Sequence, residues 1–311
     1  MAKNILVTGG VGFIGSHTVD LLISKGYNVN TLDDLSTGKK ENINKKSKFI
    51  FSSIFNADKN IKKFRNIDAI VHCAAQISVS KSVREPINYA RTNIIGTLKL
   101  LEICRQIGIR KFVFASTGGA IYGSAPKKFP VSENHTESPE SPYAVSKKSI
   151  ELYLNFYRKT YDIDCISLRY ANVYGPRQDY LGEAGVIAIF INKLLRSQRP
   201  TIFGDGNQTR DFVYVKDVAA ANLKALERNT KSKVINIGTG TQTNINKLLN
   251  LITKLVGKNI KPIYEKPRQG DVKRSSINIS LARKELGWKP SISLEDGLRR
   301  TIEWFSKAKQ Q

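Results

Sequence analysis

Tyr143 and Lys147 form a tyrosine/lysine pair separated by one helical turn. Ser141 and Pro142 precede the pair as a typical N-cap and first helical residue, so the pair should begin a helix with both side chains on one face. A free phenol has a pKa of about 10, and a nearby ammonium favours its ionised form. The pair therefore predicts a proton-transferring tyrosine, although a solvated surface pair on a helix has the same spacing.

A glycine turn follows the first apolar segment of the chain. Gly9, Gly12 and Gly15 recur at every third position, which is a variant of the G-x-G-x-x-G fingerprint. Such glycines let a pyrophosphate approach the N-terminus of the next helix. Three glycines could also form a simple turn, but a predicted helix over 16–25 and a strand over 27–32 favour a dinucleotide site.

Asp33 ends that second predicted strand, 18 residues after Gly15. A carboxylate at this distance accepts hydrogen bonds from the adenosine ribose hydroxyls and repels a 2′-phosphate. We therefore expect NAD rather than NADP as the cofactor. The alternative is that Asp33 is only a turn residue before Ser36, Thr37 and Gly38.

Strand-like and helix-like segments alternate through the first half of the chain. The predicted strands are 4–8, 28–32, 49–52, 69–73, 111–115 and 165–169, and the longest predicted helices are 86–107 and 143–160. This alternation predicts an α/β fold with a Rossmann-like, doubly wound parallel sheet.

The second half has a less regular pattern, which predicts a smaller, interleaved substrate-binding domain. We expect helices over 186–196 and 246–256, strands over 201–204, 211–215 and 234–237, a loop over 262–274 and a short helical end. The predicted division is an NAD-binding domain over 1–171, to which 211–240 returns, and a substrate-binding domain over 172–311, mainly 172–210 and 241–311.

Composition excludes several classes of protein. The 311 residues are 41% hydrophobic, and none of the apolar runs reaches the 18 residues of a membrane span. The chain enters an apolar strand at Asn4, so we expect no signal peptide. Cys73, Cys104 and Cys165 lie in apolar stretches, which suggests free thiols in a cytoplasmic protein. The three histidines are scattered, so no metal site is expected.

The chain is strongly basic, with 50 lysines and arginines against 26 acidic residues and a net charge of +24. Such a charge could serve weak, salt-sensitive polyanion binding. The lysines are dispersed in short pairs without interleaved aromatics, however, so no specific nucleic-acid partner is expected. A basic surface also suits the steering of an anionic nucleotide-sugar.

Six motifs together resemble the extended short-chain dehydrogenase/reductase family, and more narrowly its NAD-dependent nucleotide-sugar epimerases such as the UDP-glucose (UDP-galactose) 4-epimerases. They are TGGVGFIGSH (8–17), DDLSTG (33–38), HCAAQ (72–76), STGGAIYG (116–123), RYANVYGP (169–176) and QTRDFVYV (208–215). The resemblance covers nearly the whole chain.

This resemblance implies roles for individual residues. Thr117 would bridge Tyr143 and the sugar 4-hydroxyl, and Lys147 would bind the nicotinamide ribose. The implied NAD-binding residues are Gly9, Gly12, Phe13, Ile14, Gly15, Asp33, Asp34, Ser36, Thr37, Gly38, Ser53, Ile54, Cys73, Ala74, Ala75, Gln76, Asn93, Tyr143, Lys147 and Tyr170. Ser53 is a departure, because the family often has an aspartate there to accept from adenine.

The resemblance also implies a set of UDP-sugar contacts. Asn172, Arg210 and Arg268 would hold the diphosphate, and Asp271 would accept from the uridine ribose. The full set is Thr117, Tyr143, Asn172, Val186, Thr201, Phe203, Arg210, Arg268, Asp271 and Ser275. Hexose-specific members often have a tyrosine where Ser275 stands, so the smaller serine predicts that N-acetylhexosamines are accepted as well.

Gly118 and Gly119 favour epimerisation over elimination. Dehydratases of this fold carry an Asp-Glu pair at that point, and decarboxylases also use a carboxylate nearby. The expected activity is thus NAD-dependent 4-epimerisation of a UDP-hexose. A nucleotide-sugar oxidoreductase and a non-catalytic, nucleic-acid-binding member of the fold remain alternatives. Apolar residues on several faces of 86–107 and 143–160 predict a homodimer through a helix bundle.

Overall fold

Thirteen strands lie within the part of the chain that the computed structural model describes, residues 3–124, 126–180, 185–267 and 272–308. They are β1 (Asn4–Thr8), β2 (Asn28–Asp33), β3 (Lys48–Phe51), β4 (Ala69–His72), β5 (Lys111–Thr117), β6 (Asp164–Tyr170), β7 (Asn172–Tyr174), β8 (Thr201–Phe203), β9 (Thr209–Arg210), β10 (Phe212–Tyr214), β11 (Val234–Ile237), β12 (Thr243–Asn244) and β13 (Ile263–Glu265). The predicted strands agree with these bounds to within two residues.

Seven of these strands form one parallel sheet in the order β11-β6-β5-β4-β1-β2-β3. The chain moves outward in one direction from β1 to β3 and in the other direction from β4 to β6. The carboxyl ends of β1 and β4 therefore flank the point where the order reverses, which is where open α/β sheets bind ligands. The predicted Rossmann-like α/β fold is confirmed.

Helices cover both faces of this sheet. They are α1 (Phe13–Ser24), α2 (Val79–Arg84), α3 (Pro86–Tyr89), α4 (Gly96–Ile107), α5 (Gly118–Ile121), α6 (Pro142–Tyr161), α7 (Val186–Leu195), α8 (Val215–Glu227), α9 (Ile245–Val256) and α10 (Leu294–Ala308). A 3₁₀ segment spans Ile54–Phe64 and a π-helical segment spans Ala90–Ile95. None of the described helices is long and apolar enough to cross a membrane.

Two apolar clusters lie on opposite faces of the large sheet. Ile5 packs into the cluster formed with α1 and α8, whereas its neighbour Leu6 packs into the one formed with α4 and α6. Successive strand side chains point to opposite faces, so both faces of β1 are buried. This sandwich holds the carboxyl ends of the strands, and the turns that follow them, in fixed positions.

A third cluster joins α7, α9 and α10 to β7, β8 and β10, and the short strands of the second half form three pairs. β7 pairs with β10, β8 with β13, and β9 with β12. β11, from the predicted returning segment 211–240, joins the large sheet beside β6. The domain boundary at residue 171 stays a prediction.

Three of the predicted elements differ clearly from the structure. α1 begins at Phe13 rather than at residue 16, because Gly12 is its N-cap. The predicted helix over 86–107 is divided into α3, the π-helical segment and α4, and the segment contains buried Asn93. The predicted loop over 262–274 contains β13, whose backbone pairs with β8.

Candidate active site

The first turn of α6 presents the predicted acid–base pair. The Ser141 hydroxyl accepts a hydrogen bond of 3.2 Å from the backbone N–H of Ala144, and Pro142 is the first helical residue. The predicted cap is therefore confirmed. Tyr143 is half-buried and Lys147 is only 3% exposed, so the pair is not a solvated surface pair.

Lys147 is fixed by the strand in front of it. Its Nζ donates a 2.7 Å hydrogen bond to the carbonyl oxygen of Ala115 and lies 4.6 Å from the ring centroid of Phe114. Desolvation lowers the pKa of Lys147 to about 8, while Cys73 and Glu151 act to raise it. At neutral pH the side chain is thus an ammonium in a nearly dry site.

Thr117 ends β5 beside Tyr143. Desolvation raises the pKa of Tyr143 to about 12, hydrogen bonding by the Thr117 hydroxyl acts to lower it, and the nearby Tyr89 raises it further. The net shift is upward, opposite to the lowering expected from the lysine. Lys147 Nζ lies 6.0 Å from the centroid of the Tyr143 ring. The resting tyrosine is therefore a neutral phenol that needs added positive charge to ionise.

The glycine turn forms a cradle without side chains. Gly9 has a φ of +64°, and a Cβ on Gly15 would lie 2.0 Å from the carbonyl oxygen of Gly9. A Cβ on Gly9 would lie 2.7 Å from the backbone nitrogen of Ala74, in the turn after β4. The two turns thus meet at the reversal point of the sheet, beside the N-terminus of α1, where Phe13 and Ile14 are half-buried. This cradle fits the pyrophosphate of a dinucleotide.

Asp33 lies beside that cradle and is 7% exposed. Its carboxylate accepts hydrogen bonds from the N–H groups of Val11 at 3.2 Å and Leu35 at 2.9 Å. A Cβ on Gly38 would lie 2.8 Å from Asp33 Oδ1. Asp33 therefore both shapes the turn that follows and faces the cradle. Burial raises its pKa against the effect of the two backbone bonds.

The rest of that turn is exposed at Asp34, Ser36 and Thr37, where Asp34 accepts from the N–H of Ser36 at 3.0 Å. Further along, the Ser53 hydroxyl accepts from the N–H of Phe55 at 3.3 Å and caps the 3₁₀ segment. The hydroxyl oxygen keeps a second lone pair, and the contact of Ser53 with adenine stays a prediction. Ile54 is buried.

Asn93 connects the turn at residues 73–76 to α6. Its Oδ1 accepts from the Gln76 N–H at 2.8 Å, and its Nδ2 donates to Gln76 O and to Ser146 Oγ, each at 3.0 Å. The structure thus places Asn93 as a positioning residue for the turn that contains Cys73, Ala74 and Ala75. Direct contact of Asn93 with NAD stays a prediction.

Tyr170 ends β6 and is 5% exposed, and its hydroxyl donates to Asn222 Oδ1 at 2.6 Å. Burial raises its pKa far above the ordinary value, and proximity to Cys73 adds to this. Its phenol is therefore neutral and engaged with α8. Because its hydroxyl is bonded to Asn222, the predicted contact of Tyr170 with NAD would be made by its ring or its backbone.

The substrate-binding residues predicted in the second half are only partly described. Asn172 is in β7, and its buried Nδ2 has no hydrogen-bond partner among the described residues. Arg210 donates to Val272 O at 2.6 Å, which directs its guanidinium toward the segment before Ser275. Arg268 and Asp271 lie outside the described residues. An orphaned buried amide is the kind of group that a bound ligand satisfies.

The remaining predicted substrate residues are half-buried: Val186 begins α7, and Thr201 and Phe203 flank β8. Thr201 Oγ1 accepts from Lys193 at 3.2 Å, and the Phe203 carbonyl accepts from Gln208 at 2.7 Å. Val186 packs against the third cluster, and Thr201 and Phe203 are the neighbours of Ile202, which belongs to it. The contact of these residues with a nucleotide stays a prediction.

Ser275 lines a narrow cavity next to α5, the helix that follows Thr117. The cavity is lined by Gly118, Gly119, Tyr122, Gly123, Pro126, Phe129, Val131, Arg274, Ser275, Ser276 and Ile277. Two of these glycines follow Thr117 in the chain. Ser275 is held there by a 3.1 Å hydrogen bond from its N–H to Thr209 O.

Sequence reasoning missed several buried charged residues near Tyr143 and Lys147. Arg169 and Glu151 form an ion pair, and Ser116 donates to Glu151 at 2.7 Å. Asp211, which is fully buried, accepts hydrogen bonds from Thr239, Gly240 and Ile277. A charged residue inside an apolar strand, as Arg169 is in β6, is the signal that could have indicated the pair.

Known proteins of one family are similar to this chain over most of its length. A model of the family described as "NAD dependent epimerase/dehydratase family" matches residues 5–238. A putative UDP-glucose 4-epimerase of Methanocaldococcus jannaschii is 51% identical over 302 residues, which is 97% of this chain and 98% of that protein.

Two solved structures are similar in sequence and in fold. The UDP-glucose 4-epimerase of Thermotoga maritima with UDP-glucose superposes with a TM-score of 0.96 at 49% identity, covering 99% of this chain and 100% of that one. The UDP-N-acetylglucosamine 4-epimerase of Methanobrevibacter ruminantium in complex with UDP-N-acetylmuramic acid has a TM-score of 0.93 at 40% identity, covering 99% of each chain. With its glycine cradle and its Thr117/Tyr143/Lys147 set, this chain belongs to the NAD dependent epimerase/dehydratase family.

Proposed function

We propose that this protein is a UDP-hexose 4-epimerase that works with NAD. The observation that carries the proposal is the placement of Thr117 beside Tyr143, with Lys147 one helical turn behind the tyrosine, next to a dinucleotide cradle. The similar proteins of Methanocaldococcus, Thermotoga and Methanobrevibacter carry the name of this activity.

The residues of the chain divide the proton chemistry among them. When bound, NAD accepts a hydride from the sugar C4 and returns it, so no external oxidant or reductant is consumed. Tyr143 removes the proton of the 4-hydroxyl, and Thr117 holds that phenol by a hydrogen bond. Lys147 supplies a fixed positive charge that favours the phenolate. The sugar, oxidised at C4, turns within the site and is reduced on its other face.

The alternatives within the family need groups that this site does not place beside Thr117. The two positions after it are Gly118 and Gly119, which begin α5 and contribute no carboxylate. An elimination needs a proton acceptor and donor beyond C4. A net oxidoreductase is distinguished by steady consumption of external NAD(P)H, and a nucleic-acid-binding role by salt-dependent binding without turnover.

The residue type at Ser275 supports a substrate range that includes UDP-N-acetylhexosamines. Ser275 lines a narrow cavity with Gly118 and Gly119, and its side chain takes up much less space there than a tyrosine would. The Methanobrevibacter protein, a UDP-N-acetylglucosamine 4-epimerase, shares 40% of its sequence with this chain. We infer that UDP-N-acetylglucosamine and UDP-N-acetylgalactosamine are substrates together with UDP-glucose and UDP-galactose.

Exposed apolar side chains on α6 and on the segment before α4 support a homodimer. On α6 they are Val145, Leu152, Tyr153 and Phe156, and on the neighbouring elements they are Val79, Val83, Ile87 and Ile95. α2 and α3 pack beside α6, so these residues share one surface, which we call the α6 patch. Eight exposed apolar side chains on one surface of a protein with a net charge of +24 mark an interaction site. We infer that a second copy covers it through a two-fold axis, and that the protein works in the cytoplasm.

The direct test is a product assay. The purified protein is incubated with each of the four UDP-sugars, with and without added NAD, and the products are resolved by chromatography. Conversion in both directions without net change in NADH absorbance is expected. Stoichiometric NADH formation would support the oxidoreductase instead. A product lighter than the substrate by one water molecule would support a dehydratase.

A further inference from the structure

A buried ion pair joins α6, the helix that carries Tyr143 and Lys147, to the large sheet. Arg169, 1% exposed in β6, faces Glu151, 6% exposed in α6. The guanidinium donates from Nε to Glu151 Oε1 at 3.0 Å and from Nη2 to Glu151 Oε2 at 2.5 Å. Two parallel charge-assisted bonds of this kind fix the orientation of both groups.

The same carboxylate is also bound to the strand that holds the reacting groups. Ser116 Oγ donates to Glu151 Oε1 at 2.7 Å. Ser116 lies between Ala115, which accepts the bond from Lys147, and Thr117, which bonds Tyr143. Glu151 therefore connects α6, β5 and β6 at one point.

Stability alone is a weak reason for such a pair. Removing two charges from water is costly, and apolar replacements of buried ion pairs are often neutral or stabilising. The position of the pair points to another use, because Glu151 is one helical turn beyond Lys147 and two beyond Tyr143.

The charges that face Lys147 single out Glu151. Besides Glu151 and Tyr143 on its own helix, Lys147 faces His72 and Cys73 at the end of β4. Burial raises the pKa of Cys73 to about 12 and lowers that of His72 to about 3. Both groups are neutral at pH 7, so Glu151 is the anion that acts on Lys147 among the described groups.

The groups that face Glu151 itself come from three elements. They are Arg169 on β6, Ser116 on β5 and Lys148 on α6, whose Nζ lies 3.9 Å from Glu151 Oε2. Glu137 Oε1 accepts from the same Nη2 of Arg169 at 2.6 Å and from Lys148 Nζ at 2.9 Å. Glu137 thus shares the partners of Glu151 without being a neighbour of Lys147.

We propose that Glu151, held by Arg169 and Ser116, is a positioning residue that keeps Lys147 protonated and sets the placement of Tyr143 on α6 relative to Thr117 on β5. The proposal rests on the proposed epimerase function, in which a protonated Lys147 favours the Tyr143 phenolate. It predicts that Glu151 acts on turnover rather than on substrate affinity.

Glu151→Gln tests the electrostatic part. Loss of the carboxylate removes an effect that raises the pKa of Lys147, so this pKa falls below about 8. Lys147 then loses its proton at lower pH, and the alkaline limb of kcat moves to lower pH by about one unit. KM for the UDP-sugar is expected to stay within about twofold. Glu151→Asp, which keeps the charge, should restore most of the wild-type profile.

Glu137→Gln is the matched control. It removes a carboxylate from the same arginine and the same lysine, but it should leave the alkaline limb in place. An unshifted limb in Glu151→Gln, or an equal shift in both variants, would overturn the proposal.

A second measurement needs neither substrate nor cofactor. The folded-state pKa of Lys147, about 8, lies below its unfolded value of about 10.4. Stability therefore rises with pH above the folded pKa, because the unfolded chain then binds more protons. In Glu151→Gln this rise in melting temperature should begin at a lower pH than in Glu137→Gln. Identical curves for the two variants would contradict the electrostatic role even if the proposed reaction itself were wrong.

Ser116→Ala tests the placement without changing a charge, in case Glu151→Gln does not fold. The bond from β5 to Glu151 is lost while the ion pair stays. We expect kcat to fall about fivefold with the alkaline limb unmoved. An unchanged kcat would show that the bond does not position the reacting groups and would overturn that part.

Discussion

The ammonium of Lys147 is bonded to the carbonyl oxygen of Ala115 at 2.7 Å, two residues before Thr117 in the same strand. The lysine is therefore anchored to β5, and its Nζ lies 6.0 Å from the centroid of the Tyr143 ring. Because Thr117 bonds the phenol from that same strand, β5 sets the position of both partners of the tyrosine.

Tyr143→Phe should reduce epimerase kcat by at least ~10²-fold, because the proton acceptor is lost while the ring still packs. Far-ultraviolet circular dichroism and NAD binding should remain as in wild type. Thr117→Val should be milder. Since the bond to Thr117 lowers the pKa of Tyr143, its removal should move the acidic limb of kcat to higher pH. Near-full turnover by Tyr143→Phe would exclude this tyrosine as the base.

Asp33→Asn should weaken NAD binding by about tenfold, the loss expected for one charge-assisted hydrogen bond. It should also reduce the discrimination against NADP, because a buried negative charge no longer faces the 2′-phosphate. Both dinucleotides can be titrated by calorimetry. Asp34→Asn, an equal charge change at an exposed neighbour, should have a smaller effect on the NAD/NADP ratio. Equal affinity of wild type for both dinucleotides would refute the assignment of Asp33.

Gly15→Ala should destabilise the protein by at least ~2 kcal/mol, because its Cβ would lie 2.0 Å from the carbonyl oxygen of Gly9. Thermal unfolding measures the loss, and NAD binding should weaken in parallel. Gly119→Ala is the matched control, since a Cβ there meets nothing within 4 Å. Similar melting temperatures for the two variants would contradict the close approach of the turn to α1.

Ser275→Tyr should reduce kcat/KM for both UDP-N-acetylhexosamines by at least ~10-fold, because the ring would fill the cavity beside Gly118 and Gly119. Turnover of UDP-glucose and UDP-galactose should change little. The same substitution at Ser280, which is exposed, controls for a general effect of added aromatic surface. If wild type ignores the N-acetylated sugars, Ser275 does not determine the substrate range.

Leu152→Glu should convert the protein to monomers, because a charge is placed in the centre of the α6 patch, where Leu152 is 60% exposed. Sedimentation velocity gives the molar mass directly. Phe51→Glu is the control, since Phe51 is 68% exposed but lies on the edge strand β3, away from α6. A wild-type protein that sediments as a monomer at micromolar concentration would refute the dimer.

Local rules were enough to predict much of this fold from the sequence. The glycine spacing, the Ser141 cap and the alternation of strands and helices each depend on a few neighbouring residues, so the parallel sheet, the cradle and the start of α6 could be derived before the structure. The residue types at Tyr143 and Lys147 likewise indicated proton transfer, since their spacing alone places them on one helical face.

The tertiary structure decided what depends on distant neighbours. It placed Glu151 against Arg169 and Ser116, divided the 86–107 helix at Asn93 and paired β13 with β8. It also reversed the expected direction of the Tyr143 pKa, because desolvation raises that pKa, while the ammonium of Lys147 is bonded to Ala115. Desolvation and ion pairing arise from chain segments that meet only on folding, and no local pattern in the sequence records which segments those are.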